Sequence, residues 1–181
     1  AALICTNRLK GLLAAGFSLQ RAFVSLVKTM ERSKDPALQY AVFSVLRIFN
    51  DGEATFLDYE MPAPVFISAR YATVLEMQQV QIGDLFVKEG HIRLEPGDAV
   101  MLLSDGVTQA GIGHGFRNGW TSEGVAEYTN TCLREDGADL NVLPMLIQTQ
   151  VREICHKESG DDTTVAIVSC RPGTTVNVLT G

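Results

Sequence analysis

The carboxylates of Asp105, Asp161 and Asp162 carry the most promising chemistry in this chain. Asp105 closes an apolar, strand-like run, Ala99 to Leu103, that follows the turn Leu94-Glu95-Pro96-Gly97-Asp98. Asp161 and Asp162 sit in Gly160-Asp161-Asp162-Thr163-Thr164, just before a second apolar run, Val165 to Val168. If the two runs pair as neighbouring strands, these carboxylates converge at one sheet edge. Clustered carboxylates repel one another and require a cation, and oxygen-only ligands suit hard ions such as Mg²⁺ and Mn²⁺. Adjacent residues on an extended chain point to opposite sides. At most one of Asp161 and Asp162 is therefore expected to ligate directly, with the other ordering the loop through hydrogen bonds to backbone amides.

Other polar residues read more simply. Asp-Gly is a common turn dipeptide, so Asp105-Gly106 gains meaning from the strand before it and from Thr108-Gln109 after it. His114, in Gly113-His114-Gly115, reads as part of a surface loop. The glycine spacing there lacks the strand-turn-helix context of a dinucleotide site. His91 and His156 read as surface residues, and Glu60 as shaping a strand turn through a backbone hydrogen bond.

The elements that must hold these residues follow from pattern. Ala1 to Ala15 reads as a helix closed by Gly16 in a left-handed position. Ser18 is the expected cap of a second helix. There, Leu19, Ala22, Phe23, Leu26, Val27 and Met30 form one apolar stripe, with Gln20, Arg21, Ser25 and Lys28 on the polar face. Tyr40 to Phe49 is almost continuously apolar, as expected for a strand buried on both faces. Asn50-Asp51-Gly52 is a hairpin turn leading into Ala54 to Tyr59. Val65 to Ser68 and Tyr71 to Met77 read as a short pair, and Gln78 to Gly90 has no clear pattern. His91 to Leu94 and Ala99 to Ser104 are expected to form a hairpin. After a glycine-rich loop, Gly111 to Gly119, Thr121 or Ser122 caps a helix running to about Arg134. Asn141 is the expected cap of another, with Leu143, Leu146, Ile147, Val151, Ile154 and Cys155 on one face. Thr163 to Cys170 is the last strand. The pattern of helices, antiparallel strands, helices and a strand is that of an α+β layered fold.

Composition narrows the function classes. The chain has 181 residues, of which 46% are hydrophobic, and its net charge is −6. One domain spanning 1–181 is expected, with nucleic acid and anionic membrane excluded as main partners. The four cysteines, Cys5, Cys132, Cys155 and Cys170, are scattered. They read as reduced, mostly buried thiols of a cytoplasmic protein. No apolar run reaches the roughly 20 residues needed to span a bilayer. Ala1 to Cys5 has no basic segment before it and is not read as a signal peptide.

At its acidic segments the chain resembles the stage II sporulation protein E type of bacterial serine phosphatase, a branch of the metal-dependent PPM protein phosphatases. Leu94-Glu95-Pro96-Gly97-Asp98 through Ser104-Asp105-Gly106-Val107-Thr108-Gln109-Ala110 is similar to that family's L-x-P-G-D … S/T-D-G-x-x-E/Q-A segment. Gly160 to Thr164 is similar to its D-D-x-T segment. Tyr59-Glu60-Met61-Pro62-Ala63-Pro64 partly matches a Gly-His-x-Pro segment, with Glu60 where the family often has Gly-His. Ala1-Ala2-Leu3 resembles the start of the helix after the family's first metal loop. The family's N-terminal strands, with an Asp for the first metal and an Asp-Gly loop bridging two metals, have no counterpart. Either an N-terminally incomplete domain or a protein that has lost half of that metal site is therefore expected.

The resemblance implies an α-β-β-α sandwich and two Mn²⁺ or Mg²⁺ ions. Asp105 and Asp161 would hold the second ion, with Gly106 and Asp162 as secondary candidates and no catalytic side chain beyond the metal ligands. It implies metal-activated water attacking phosphoserine in line, without a phosphoenzyme, on a small protein of the anti-sigma-factor-antagonist kind. It further implies regulation and a homodimer through the N-terminal helices. The alternative is an inactive pseudophosphatase that serves as a protein-binding regulatory module.

Overall fold

A computed structural model of the chain describes residues 2–33, 35, 42–68, 71–134, 139–156 and 162–170. The chain divides into two compact units. The first comprises Ala1–Arg47, Thr55–Glu60 and Met77–His91, and the second comprises Ile48–Ala54, Met61–Glu76 and Ile92–Gly181.

The first unit begins with α1 (Ala2–Ala14) and α2 (Leu19–Glu31). Ser18 caps α2 as expected, its hydroxyl accepting from the Arg21 N–H at 3.3 Å. Every residue of the predicted stripe is buried. Leu19, Phe23 and Val27 pack with Leu57 and Val87, which lie on β2 (Glu53–Tyr59) and β6 (Leu85–Arg93). Phe23 also meets Phe43 of β1 (Phe43–Ile48), with ring centroids 4.9 Å apart in a tilted pair. The sheet order is β1-β2-β6-β5, with β5 at Gln78–Ile82.

Two expectations change here. The apolar run around β1 is not buried on both faces, since its residues are half-buried and then exposed at Arg47 and Ile48. The strand is an edge with one neighbour, so apolar content alone does not place it centrally. Gln78 to Gly90 holds two antiparallel strands, with Val80 opposite Val87. Their outward residues are largely polar and exposed, and this hides the alternation.

The second unit is built on a sheet ordered β4-β3-β7-β8: β3 (Val65–Ser68), β4 (Tyr71–Val74), β7 (Ala99–Leu103) and β8 (Val165–Ser169). Each neighbouring pair is antiparallel. β7 lies inside the sheet, and its run of apolar residues is almost wholly buried, as expected for a strand covered on both faces. A one-turn helix α3 (Asp105–Thr108) follows it. Then come α4 (Thr121–Arg134) and α5 (Leu143–Ile154). Val65, Ile67, Met101 and Leu103 from the sheet share one core with Val125, Leu133, Ile147 and Val151 from the helices. Thr121 caps α4 through its hydroxyl, which accepts from the Gly124 N–H at 3.4 Å. The Ser122 hydroxyl instead donates to the Ala63 carbonyl at 2.8 Å.

Two more expectations are corrected in this unit. His91 to Leu94 and Ala99 to Ser104 do not form a hairpin, because β6 and β7 belong to different sheets. Both edges of β7 are occupied, by β3 and by β8. The turn before it is also tied to the end of β8: the Gly97 N–H donates to the Cys170 carbonyl, and the Cys170 N–H donates to the Asp98 carbonyl, each at 2.8 Å. Asn141 does not cap α5, as its own amide and side chain both donate to Asp139 Oδ1. Val142 occupies the cap position without a side-chain bond.

The α+β class holds: two antiparallel sheets accompanied by helices. None of the four cysteines is in a disulfide; Cys132 and Cys155 are buried and Cys5 and Cys170 half-buried. Among the described residues no helix is long and apolar enough to cross a membrane.

Candidate metal centre

The strands that precede Asp105 and follow Asp162 are neighbours. The β7–β8 register pairs Leu103 with Val165, and Ser104 continues the ladder. Its N–H donates to the Thr164 carbonyl at 3.0 Å. Its hydroxyl accepts from the Thr164 N–H at 2.9 Å and donates to the Asp162 carbonyl at 3.1 Å. One serine thus stitches the two acid-bearing segments together.

Asp105 is held from several sides. Its carbonyl accepts from the Gln109 N–H at 2.7 Å, and the Val107 N–H donates to Ser104 O at 3.1 Å, closing the single turn of α3. Val107 is fully buried and anchors that turn in the core. Gly119 presses on the turn from the following loop. Its φ is +79°, and a Cβ there would collide with the Thr108 carbonyl, so only glycine fits. The Asp105 carboxylate is half-buried, and its Oδ1 accepts from the Gly106 N–H at 3.0 Å. Gly106 is buried, and its carbonyl oxygen is the atom it can offer a cation.

Asp162 is exposed, and its carbonyl is one of the atoms Ser104 holds. Asp161 lies outside the described residues. Among the described residues no three Asp, Glu, His or Cys side chains gather in a group able to hold a metal ion. His114 and His156 make an edge-to-face pair with centroids 5.6 Å apart. His91 contacts Thr55 and Glu89.

One residue, Asp58, escaped the sequence reading. Asp58, on β2 in the first unit, is 1% exposed, and among the described residues neither of its carboxylate oxygens has a hydrogen-bond partner of good geometry, the Ser44 hydroxyl included. Burial raises its pKa from 3.8 to about 6, offset only in part by the nearby Ser44 hydroxyl and Lys88 ammonium. A signal was present: strand alternation places Asp58 on the same face as Ala54 and Phe56, both buried and apolar. Glu60 adopts φ +56°, a left-handed backbone that glycine takes without cost. The partial family match placed a glycine-bearing segment there, so what marks Glu60 is its backbone angle.

Comparisons with known proteins bear on this geometry. The sequence profile described as Stage II sporulation protein E (SpoIIE) matches residues 2–171. Among solved structures, the phosphatase domain of the cell fate determinant SpoIIE from Bacillus subtilis, presoaked with Mn, is 17% identical with a TM-score of 0.66. That alignment covers 94% of this chain and 75% of the other. The same Bacillus subtilis domain in a crystal form without domain swapping gives 16% identity and a TM-score of 0.69, over 97% and 75% of the two chains. The RsbU and RsbW domains of a Mycobacterium tuberculosis protein give 18% identity and a TM-score of 0.72, over 94% of this chain and 47% of that one. No curated protein sequence matches. At these identities the structures show a shared fold, that of PPM-type phosphatase domains. The profile covers nearly the whole chain, which therefore belongs to the Stage II sporulation protein E (SpoIIE) family.

Proposed function

We propose that the chain is a metal-dependent serine/threonine protein phosphatase that hydrolyses phosphoserine on a small regulatory protein of the anti-sigma-factor-antagonist kind. The observation that supports this reading is Ser104, which joins the end of β7, next to Asp105, to Asp162 and Thr164 just before β8; Asp161 itself lies outside the described residues. Family membership supports a phosphate ester as substrate. The RsbU and RsbW domains of the Mycobacterium tuberculosis relative support a regulatory protein as partner. Ile4 and Leu13, large apolar side chains left exposed on α1, support a homodimer through the N-terminal helices.

The donor set fits a hard divalent cation. Asp105, Asp161, the Gly106 carbonyl and Asp162 offer oxygen alone, which favours Mn²⁺ or Mg²⁺ over zinc. Such an ion, when bound, lowers the pKa of a coordinated water and offsets charge on phosphoryl oxygens. The protein's own part is to hold carboxylates in place. Asp105 is fixed by a buried neighbour and a closed helical turn, so little reorganisation is needed when charge arrives.

The test is Mn²⁺-dependent phosphate release from a phosphoserine protein, run beside Asp105→Asn. Release lost in the variant, with an unchanged far-UV circular dichroism spectrum, supports the phosphatase. No release from either protein leaves two readings, an N-terminally incomplete domain and the protein-binding module.

A further inference from the structure

The first unit contains an open cleft of about 560 Å³ whose charged lining is almost wholly basic. Arg8 reaches it from α1, and Arg21, Lys28 and Arg32 reach it from α2 and its C-cap. On α2, positions 21, 25, 28 and 32 follow i, i+4, i+7, i+11 spacing, so the three cations share one helix face. Lys28 pairs with Asp84, and the Lys28 ammonium is the main cause of a lowered Asp84 pKa. Arg32 also acts on Asp84 electrostatically, from beyond ion-pair distance, while Arg8 and Arg21 make no ion pair among the described residues. Like charges at i, i+4, as at Lys28 and Arg32, weaken a helix. A chain of net charge −6 nonetheless keeps this concentration of positive charge in one concavity.

We propose that this cleft binds a small phosphate-rich anion of the nucleoside polyphosphate class. Its volume suits a small ligand. Guanidinium groups bind phosphate through paired hydrogen bonds, and several of them neutralise a multiply charged ligand better than a single carboxylate. The lining also includes Phe17 and Ile82. Phe17 is 47% exposed, an apolar surface against which a base can lie while phosphates meet the cations. This reading concerns the first unit alone and does not rest on the phosphatase proposal.

The experiment is isothermal titration calorimetry of the whole chain, without divalent metal, using tripolyphosphate and a nucleoside triphosphate as probes. Saturable binding of both is expected, tighter for the nucleoside triphosphate and weakened by added salt. Arg21→Gln combined with Arg32→Gln removes both charges while keeping most of each aliphatic stem, and should weaken both probes about tenfold or more, because the charge-assisted hydrogen bonds to phosphate are lost. Arg8→Gln should weaken them likewise, while Lys10→Gln, on α1 but not lining the cleft, should leave binding unchanged. Circular dichroism checks that each variant folds. The proposal fails if neither probe saturates at millimolar concentration, or if the arginine variants bind as the parent does. It also fails if a polyglutamate peptide binds and the phosphates do not.

Discussion

Ser104 and Thr164 exchange two hydrogen bonds: the Ser104 N–H to the Thr164 carbonyl at 3.0 Å and the Thr164 N–H to the Ser104 hydroxyl at 2.9 Å. The second is a side-chain bond doing the work of a ladder bond, at the point where β7 must turn into α3. It lets Asp105 leave the strand while the segment before β8 stays registered.

Ser104→Ala should therefore cost about 1–2 kcal/mol, since it removes both an acceptor for the Thr164 N–H and a donor to the Asp162 carbonyl. Urea unfolding measures that loss. Ser104→Thr retains the hydroxyl and should recover most of it. Equal destabilisation by both variants would show that the hydroxyl is not what holds the two segments.

Asp58 makes a prediction with a definite sign. Its folded pKa, about 6, lies above its ordinary value of 3.8, so the folded state holds the proton more tightly than the unfolded state. This group's contribution to stability is therefore greatest below about pH 4 and is lost as pH rises to about 6. Asp58→Asn removes the buried charge and should stabilise the protein at neutral pH by roughly 2–3 kcal/mol. The difference between variant and parent should shrink as pH falls through this window. Parallel pH profiles in thermal melts would mean that Asp58 does not titrate as its burial demands.

Glu60→Gly should stabilise the fold by about 0.5–1 kcal/mol, because φ +56° is costly for a residue with a Cβ and free for glycine. Glu60→Ala keeps the Cβ and serves as the control. A gain shared by both variants would assign the effect to the Glu60 charge instead of the backbone.

Asn130 of α4 binds the edge strand β4 twice, its Oδ1 accepting from the Ala72 N–H at 2.7 Å and its Nδ2 donating to the Ala72 carbonyl at 2.8 Å. Asn130→Ala should cost about 2 kcal/mol by leaving two backbone groups without a partner. Asn130→Asp retains the acceptor alone and should fall between parent and alanine. Hydrogen exchange at Ala72 should rise in step with the loss.

Local structure was largely legible in the sequence because it is set by short-range rules. The α2 stripe, the Ser18 cap, the Asn50-Asp51-Gly52 turn and the buried run of β7 all follow from periodicity and turn chemistry within a few residues. Gln78 to Gly90 was not legible, because both strands there show polar, exposed residues and their pairing supplies the order that the pattern lacks. The candidate centre was legible in part. The two acidic segments stood out by type and spacing, with Asp161 outside the described residues, while Ser104 did not stand out, since a serine at a strand end has no distinguishing pattern.

By itself, then, the sequence determined the elements and the residue types at the candidate centre, since propensity, capping and alternation act between near neighbours. Only the tertiary structure decided which strands pair, that β6 and β7 part company across Glu95-Pro96-Gly97-Asp98, and that Ser104 ties the Asp105 turn to Thr164. The burial of Asp58 and the gathering of Arg8 with the α2 cations belong to the same class. Each depends on groups far apart in the chain competing for the same hydrogen bonds or the same volume, and the outcome of such a competition is not encoded at any single position.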